Sequence, residues 1–122
     1  MRYGMVLTIL LLVLFPGIVL AGKAEVLNAT VAKQGTATFS FNVTVTHQDD
    51  GWEHYADKWD VIGPDGQVLA TRVLYHPHVN EQPFTRSLSG VAIDPAIRAV
   101  TLRAHDLVHG YGGREILVEL PR

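Results

Sequence analysis

Residues 36–46 read TATFSFNVTVT, and apolar and polar residues alternate through the whole stretch. The odd positions carry the apolar side chains Ala37, Phe39, Phe41, Val43 and Val45. Successive side chains of an extended strand point to opposite faces, so this pattern predicts a strand with one face buried and the other in water. The stretch is therefore the first indication that the chain is an all-β protein.

Shorter alternating segments lie on both sides of this strand. Further strands are predicted at residues 27–31, 59–61, 68–74, 84–93, 100–104 and 116–120. In the fifth strand the apolar parity changes between Leu88 and Val91, which indicates a bulge at Gly90. Seven short strands, with turns about every ten residues, predict a single antiparallel β-sandwich and so an all-β fold. We expect this domain to span residues 22–122.

The first 21 residues differ in composition from the rest. Arg2 precedes an apolar run that begins at Met5, and Val19-Leu20-Ala21 places small or β-branched residues before the expected cleavage site. This layout predicts a signal peptide, residues 1–21, and a mature protein in the periplasm or outside the cell. The alternative is an uncleaved membrane anchor, for which the run is short. We expect no membrane association after cleavage, and no lipid attachment, because no cysteine follows the run.

Composition excludes several function classes. The 122 residues carry a formal net charge of −2, and their ten Lys and Arg form no basic run, so no nucleic-acid partner is expected. The chain has no cysteine, and both methionines precede residue 22. Sulfur ligands are therefore absent from the predicted mature domain, which leaves imidazole and carboxylate sites.

Two resemblances extend over the predicted domain. The strand order, with Trp59 on the third strand, resembles an immunoglobulin-like sandwich, although the paired cysteines of antibody domains are missing. The stretches HYADKWDVIGPDGQVL, RVLYHPHVNEQPFTRSLSGV and HDLVHGYGG resemble those of a family of small secreted bacterial proteins. This second resemblance implies a secreted location and no particular activity.

The six histidines should all lie at one end of the sandwich when the strands are traced as a meander. Residues i and i+2 of an extended segment point the same way, so His76 and His78 can present two imidazoles side by side, with Pro77 holding the segment extended. We predict a metal site for Cu(II) or Zn(II). The predicted ligands are His76, His78, His54, His109 and His47. Predicted oxygen ligands, or hydrogen-bonding partners of the imidazoles, are Asp49, Asp50, Glu53, Asp57, Glu81 and Asp106. His105 is a weaker candidate for the same supporting role.

Three function classes fit this prediction. The first is a metal-binding protein acting as carrier, chaperone or sensor, whose partners would be a metal ion and a periplasmic protein. The second is a non-enzymatic adhesion or protein-interaction module, which would expose an aromatic patch on the same loops. The third is a small metalloenzyme with an open coordination position. No Ser-His-Asp order, P-loop or HExxH string is present, so catalysis without a metal has no support. A non-enzymatic role is favoured, and the metalloenzyme stays an open alternative.

Overall fold

The computed structural model describes residues 22–122, and the predicted signal peptide lies outside the described residues. Seven strands follow one another in this region. They are β1 (Glu25–Lys33), β2 (Thr38–Thr46), β3 (Ala56–Ile62), β4 (Val68–Val73), β5 (Phe84–Ala92), β6 (Ala99–Asp106) and β7 (Ile116–Glu119). Residues 22–122 include no helix that is long and apolar enough to cross a membrane.

The strands form two antiparallel sheets that pack face to face. One sheet has the order β1-β2-β5, and the other has the order β4-β3-β6-β7. The antiparallel β-sandwich of seven strands that the sequence predicts is confirmed. The immunoglobulin-like character of its strand order stays a prediction.

The core fills the space between the two sheets. The alternation that the sequence shows in β2 is realised, since Phe39, Phe41, Val43 and Val45 are fully buried. From the facing sheet, Trp59, Val61 and Leu102 are buried against them, and the two sets form one cluster. Each such side chain stabilises the fold by roughly 1.5–3 kcal/mol relative to an exposed one. Packing of this kind can hold the domain together without disulfides.

The predicted bulge in β5 is present. Phe39 pairs with Val91 and Phe41 pairs with Leu88, so two residues of β5 lie opposite one residue of β2. Gly90 has φ of +69°, a left-handed conformation that glycine adopts without the steric cost of a Cβ atom. The bulge restores the inward direction of Val91 and so explains the change of parity in the sequence.

Three loops gather at one end of the sandwich, which we call the loop end. They are residues 47–55, 74–83 and 107–115, and they carry five of the six histidines, while His105 lies at the same end as the second-last residue of β6. The turns at residues 34–37, 63–67 and 93–98 lie at the opposite end. The last residue also lies there, because the Arg122 guanidinium donates to the backbone carbonyls of Asp94 and Ile97.

Candidate metal centre

His47 directly follows β2 and keeps the inward direction of Val43 and Val45, so its ring is buried. Its Nδ1 lies 2.5 Å from Asp49 Oδ1. An ionised carboxylate only accepts hydrogen bonds, so His47 Nδ1 carries the proton and donates it. The neutral ring then presents an unprotonated Nε2 on its other side, which is the tautomer that a metal ligand requires.

Asp49 is the buried carboxylate that orients this ring. Besides the His47 ring, its Oδ1 accepts the backbone N–H of Ala56 at 2.9 Å, and its Oδ2 accepts the backbone N–H of His78 at 2.7 Å. Burial alone would raise the pKa of Asp49, but these three donors outweigh it and the pKa is lowered. Asp49 therefore stays ionised and joins two of the three loops.

Asp106 ends β6 and shares the inward direction of Leu102 and Ala104. Its Oδ1 accepts the backbone N–H groups of Val108 and His109, at 2.9 and 2.7 Å, so it folds the start of the third loop around itself. Burial raises the pKa of Asp106, but the two backbone donors and the nearby histidines lower it by more. The net pKa is therefore below its ordinary value. A second buried anion thus lies at the loop end.

His54 lies between the two buried groups. Its Nε2 is 3.2 Å from His47 Nε2 and 3.1 Å from Asp106 Oδ1. The three side chains each offer a ligand atom, and these atoms all lie within 4.8 Å of one another. We call His47, His54 and Asp106 the metal cluster.

One buried oxygen of the metal cluster has no hydrogen-bond partner, and one N–H of the cluster has two possible acceptors. The single N–H on His54 Nε2 can point well at His47 Nε2 or at Asp106 Oδ1, but not at both. Asp106 Oδ2 is also buried and accepts no hydrogen bond from the protein. A buried anionic oxygen without a partner is costly, and a bound cation would remove that cost.

The charge state of His47 follows from its two anionic neighbours. Burial lowers the pKa of its imidazole, but the hydrogen bond to Asp49 and the charges of Asp49 and Asp106 outweigh burial, so the pKa is raised. The folded protein therefore holds the second proton of the His47 ring more tightly than a free histidine does, and a metal ion would have to displace it.

His109 is next to the metal cluster and faces solvent. Its Nδ1 lies 3.3 Å from Asp106 Oδ1, and its ring centroid lies 5.0 Å from that of His54. The His109 side chain is 36% exposed and that of His54 is 13% exposed. The cluster is thus closed on the His47 side and open on the His109 side.

The structure places His76 and His78 on the other side of Asp49. The His78 backbone N–H binds Asp49 Oδ2, its ring stacks on Phe84 at 4.0 Å between centroids, and His76 covers it at 4.6 Å. Burial, followed by the charge of Arg86, lowers the pKa of His78, so this imidazole is neutral. The five predicted ligands are therefore divided into two groups, with Asp49 between them.

The remaining predicted residues have other partners. His105 Nδ1 lies 2.5 Å from Asp57 Oδ1, and its ring packs edge-on against Tyr111 at 4.7 Å. Glu81 accepts hydrogen bonds from Arg86 at 3.2 and 3.3 Å, and Glu53 is exposed in the first loop. Asp106 was predicted as an oxygen ligand or as a partner of the imidazoles, and its Oδ1 lies within the metal cluster itself. In the sequence, Asp106 has the same parity as Leu102 and Ala104, and this parity indicated that its side chain would point inward.

The fold and the site together define a β-sandwich protein with a buried His/Asp cluster that can hold a metal ion. The chain is 38% identical over 97 residues to a protein of Halomicrobium mukohataei named "Putative lipoprotein". That alignment covers 80% of this chain and 47% of the other, so the chain spans about half the length of the curated relative it matches. No family model matches the sequence, and no solved structure gives a significant match.

Proposed function

We propose that this protein binds one Cu(II) or Zn(II) ion at His47, His54 and Asp106, in the cell envelope or outside the cell. The observation that carries the proposal is the convergence of two imidazole nitrogens and a carboxylate oxygen within 4.8 Å, beside a buried carboxylate oxygen that has no partner. The relative's name, which refers to a lipoprotein, supports the location.

Two of the three separations between the ligand atoms agree with a common ion, and the third, between His47 and Asp106, is within 4.8 Å. Ligands about 2.0–2.1 Å from an ion lie about 3.3 Å apart in a tetrahedron and about 2.9 Å apart at right angles. The measured separations of 3.2 and 3.1 Å fall between these two values. Tetrahedral Zn(II) and tetragonal Cu(II) both suit such a site, and residues 22–122 offer no sulfur that would select a softer ion.

The open side of the metal cluster favours carriage, chaperoning or sensing of the ion. His54 is partly exposed and His109 is more so, so an ion can enter and leave without opening the core. His109 supplies a further imidazole at this opening. Asp49 holds His47 in one tautomer, which reduces the reorganisation that binding requires.

Protein interaction is a second candidate function, and the exposed aromatic residues of the loop end favour it. Trp52 is 68% exposed and Tyr75 is 74% exposed, and Trp52 is held edge-on against Tyr55. Large exposed apolar residues on neighbouring loops are common at sites of protein contact. If the purified protein contains no metal and binds none on titration, this function becomes the better explanation of the loops.

Elemental analysis of the untagged protein, followed by Zn(II) titration of the stripped protein, tests the metal proposal. The wild type should bind at least one ion, and His54→Gln should lose most of the affinity of the tightest site. His105→Gln is the matched control, because His105 is also partly exposed and bonded to an aspartate, but lies outside the cluster. Equal tight binding by the wild type and His54→Gln would overturn the proposal.

A further inference from the structure

His78 is the least satisfied polar side chain outside the metal cluster. Its side chain is only 3% exposed, and neither ring nitrogen has a hydrogen-bond partner within the protein. Burying a polar atom without a partner costs about 1–3 kcal/mol, so two such atoms in one ring call for a ligand.

The position of His78 is nevertheless firmly built. Its backbone N–H donates to Asp49 Oδ2 at 2.7 Å, its carbonyl accepts from Gln82 Nε2 at 3.0 Å, and its ring lies nearly parallel to Phe84. Its Nδ1 faces Asp49 Oδ2 at 4.0 Å, which is too long for a hydrogen bond. The carboxylate therefore lies beside the ring without supplying a hydrogen bond to it.

His76 offers the second imidazole. Its ring centroid lies 4.6 Å from that of His78, and its Nδ1 lies 3.2 Å from the carbonyl of Pro77, to which the ring nitrogen donates. Its Nε2 is then the unprotonated nitrogen, on an exposed side chain. The His-Pro-His segment thus joins one buried and one exposed imidazole.

We propose that His76 and His78 form a second metal site, separated from the metal cluster by Asp49 and weaker than it. This inference goes beyond the proposed function, because the two sites use different imidazoles and can fail separately. Asp49 Oδ2 holds the His78 backbone in place beside the second site, whereas Asp49 Oδ1 orients His47 in the first.

The local charges explain why the second site is the weaker one. The Arg86 guanidinium lies 5.5 Å from the Phe84 ring centroid, and its positive charge opposes a cation near His78. Glu81 offsets part of this charge through its ion pair with Arg86. The metal cluster, in contrast, combines a partnerless buried carboxylate oxygen with two imidazoles. Zn(II) should therefore fill the cluster first.

Stoichiometry measured with Zn(II) tests the second site. Isothermal titration of the stripped, untagged protein should show two phases, one for each site. His76→Gln should weaken the second phase on the order of tenfold or more and leave the first unchanged. His54→Gln should weaken the first phase and leave the second, and His105→Gln should change neither.

His76 is exposed, so His76→Gln keeps the packing of His78 on Phe84 and should fold normally, which circular dichroism verifies. A wild type whose single equivalent is lost in His54→Gln, or an unchanged second phase in His76→Gln, would overturn the second site. A wild type whose single equivalent is lost in His76→Gln and kept in His54→Gln would instead count against the proposed function. The two failures are therefore distinguishable.

Discussion

Asp49→Asn should destabilise the metal-free protein strongly, although it changes only one atom. Three donors converge on the two carboxylate oxygens, namely the His47 ring and the backbone N–H groups of Ala56 and His78. An asparagine offers one acceptor oxygen and one NH2 group. With its oxygen in the place of Oδ1, its NH2 faces the N–H of His78, so two donors meet.

The size of the effect follows from these contacts. One buried N–H left without an acceptor costs about 1–3 kcal/mol, and a hydrogen bond to a charged acceptor contributes about 1.5–3 kcal/mol. The free energy of unfolding should therefore fall by about 3–5 kcal/mol, out of about 5–15 kcal/mol for a typical domain. For a domain of this size the midpoint of thermal unfolding should fall by roughly 12–20 °C.

Urea and thermal unfolding followed by circular dichroism, in the presence of a chelator, measure this change. Asp50→Asn is the matched control, because that neighbouring carboxylate is 64% exposed and should change stability by less than about 0.5 kcal/mol. A loss below about 1 kcal/mol for Asp49→Asn would refute the account of Asp49 as a buried hub of hydrogen bonds.

Three further predictions concern protons and the outer face of the larger sheet. Zn(II) affinity should fall as pH falls, because protons compete for the imidazole nitrogens. The fall should begin above the ordinary histidine pKa of about 6.5, because the pKa of His47 is raised. Titrations from about pH 8 to about pH 5 measure the change, and a constant affinity would exclude imidazole ligands. Without metal, the free energy of unfolding should decrease as pH rises above about 6.5 through the raised pKa of His47, because the folded state holds that proton more tightly. It should also decrease as pH falls below about 3.8, because the pKa values of Asp49 and Asp106 are lowered in the folded state. Urea midpoints across this pH range check both signs. Tyr111→Phe removes the hydroxyl that donates to buried Asp60 at 2.6 Å and should cost about 1–3 kcal/mol, whereas Tyr75→Phe, at an exposed position, should cost nothing measurable.

Strand periodicity carried most of the fold prediction. The alternation in residues 36–46 predicted β2 and its buried face, and the parity change predicted the bulge at Gly90. Both succeed because a strand has a fixed two-residue repeat, so a buried face is written directly into the sequence. The loop end was predictable to the same degree, since the direction of each strand determines which loops meet.

The internal arrangement of the loop end was not predictable in this way. Loops have no repeat, so the sequence could not show that Asp49 would turn inward and separate His47 from His78. At the ends of strands, the two-residue repeat did indicate which side chains point inward. His47 continues β2 and Asp106 ends β6, both with inward direction, and these two side chains are the fully buried members of the metal cluster.

The position of Arg122 decides how the protein can be handled in the laboratory. Its guanidinium is bonded to the turn at residues 94–97, and β2, with nine residues, sets that turn about 26 Å from the loop end. A linker, dye or surface attachment that follows Arg122 is therefore directed away from the histidines. An attachment before Gly22 lies close to them, since the Gly22 backbone is near enough to the His47 ring to help raise its pKa. Immobilisation through a group placed after Arg122 should leave the loops facing the solution, whereas tethering before Gly22 would crowd them.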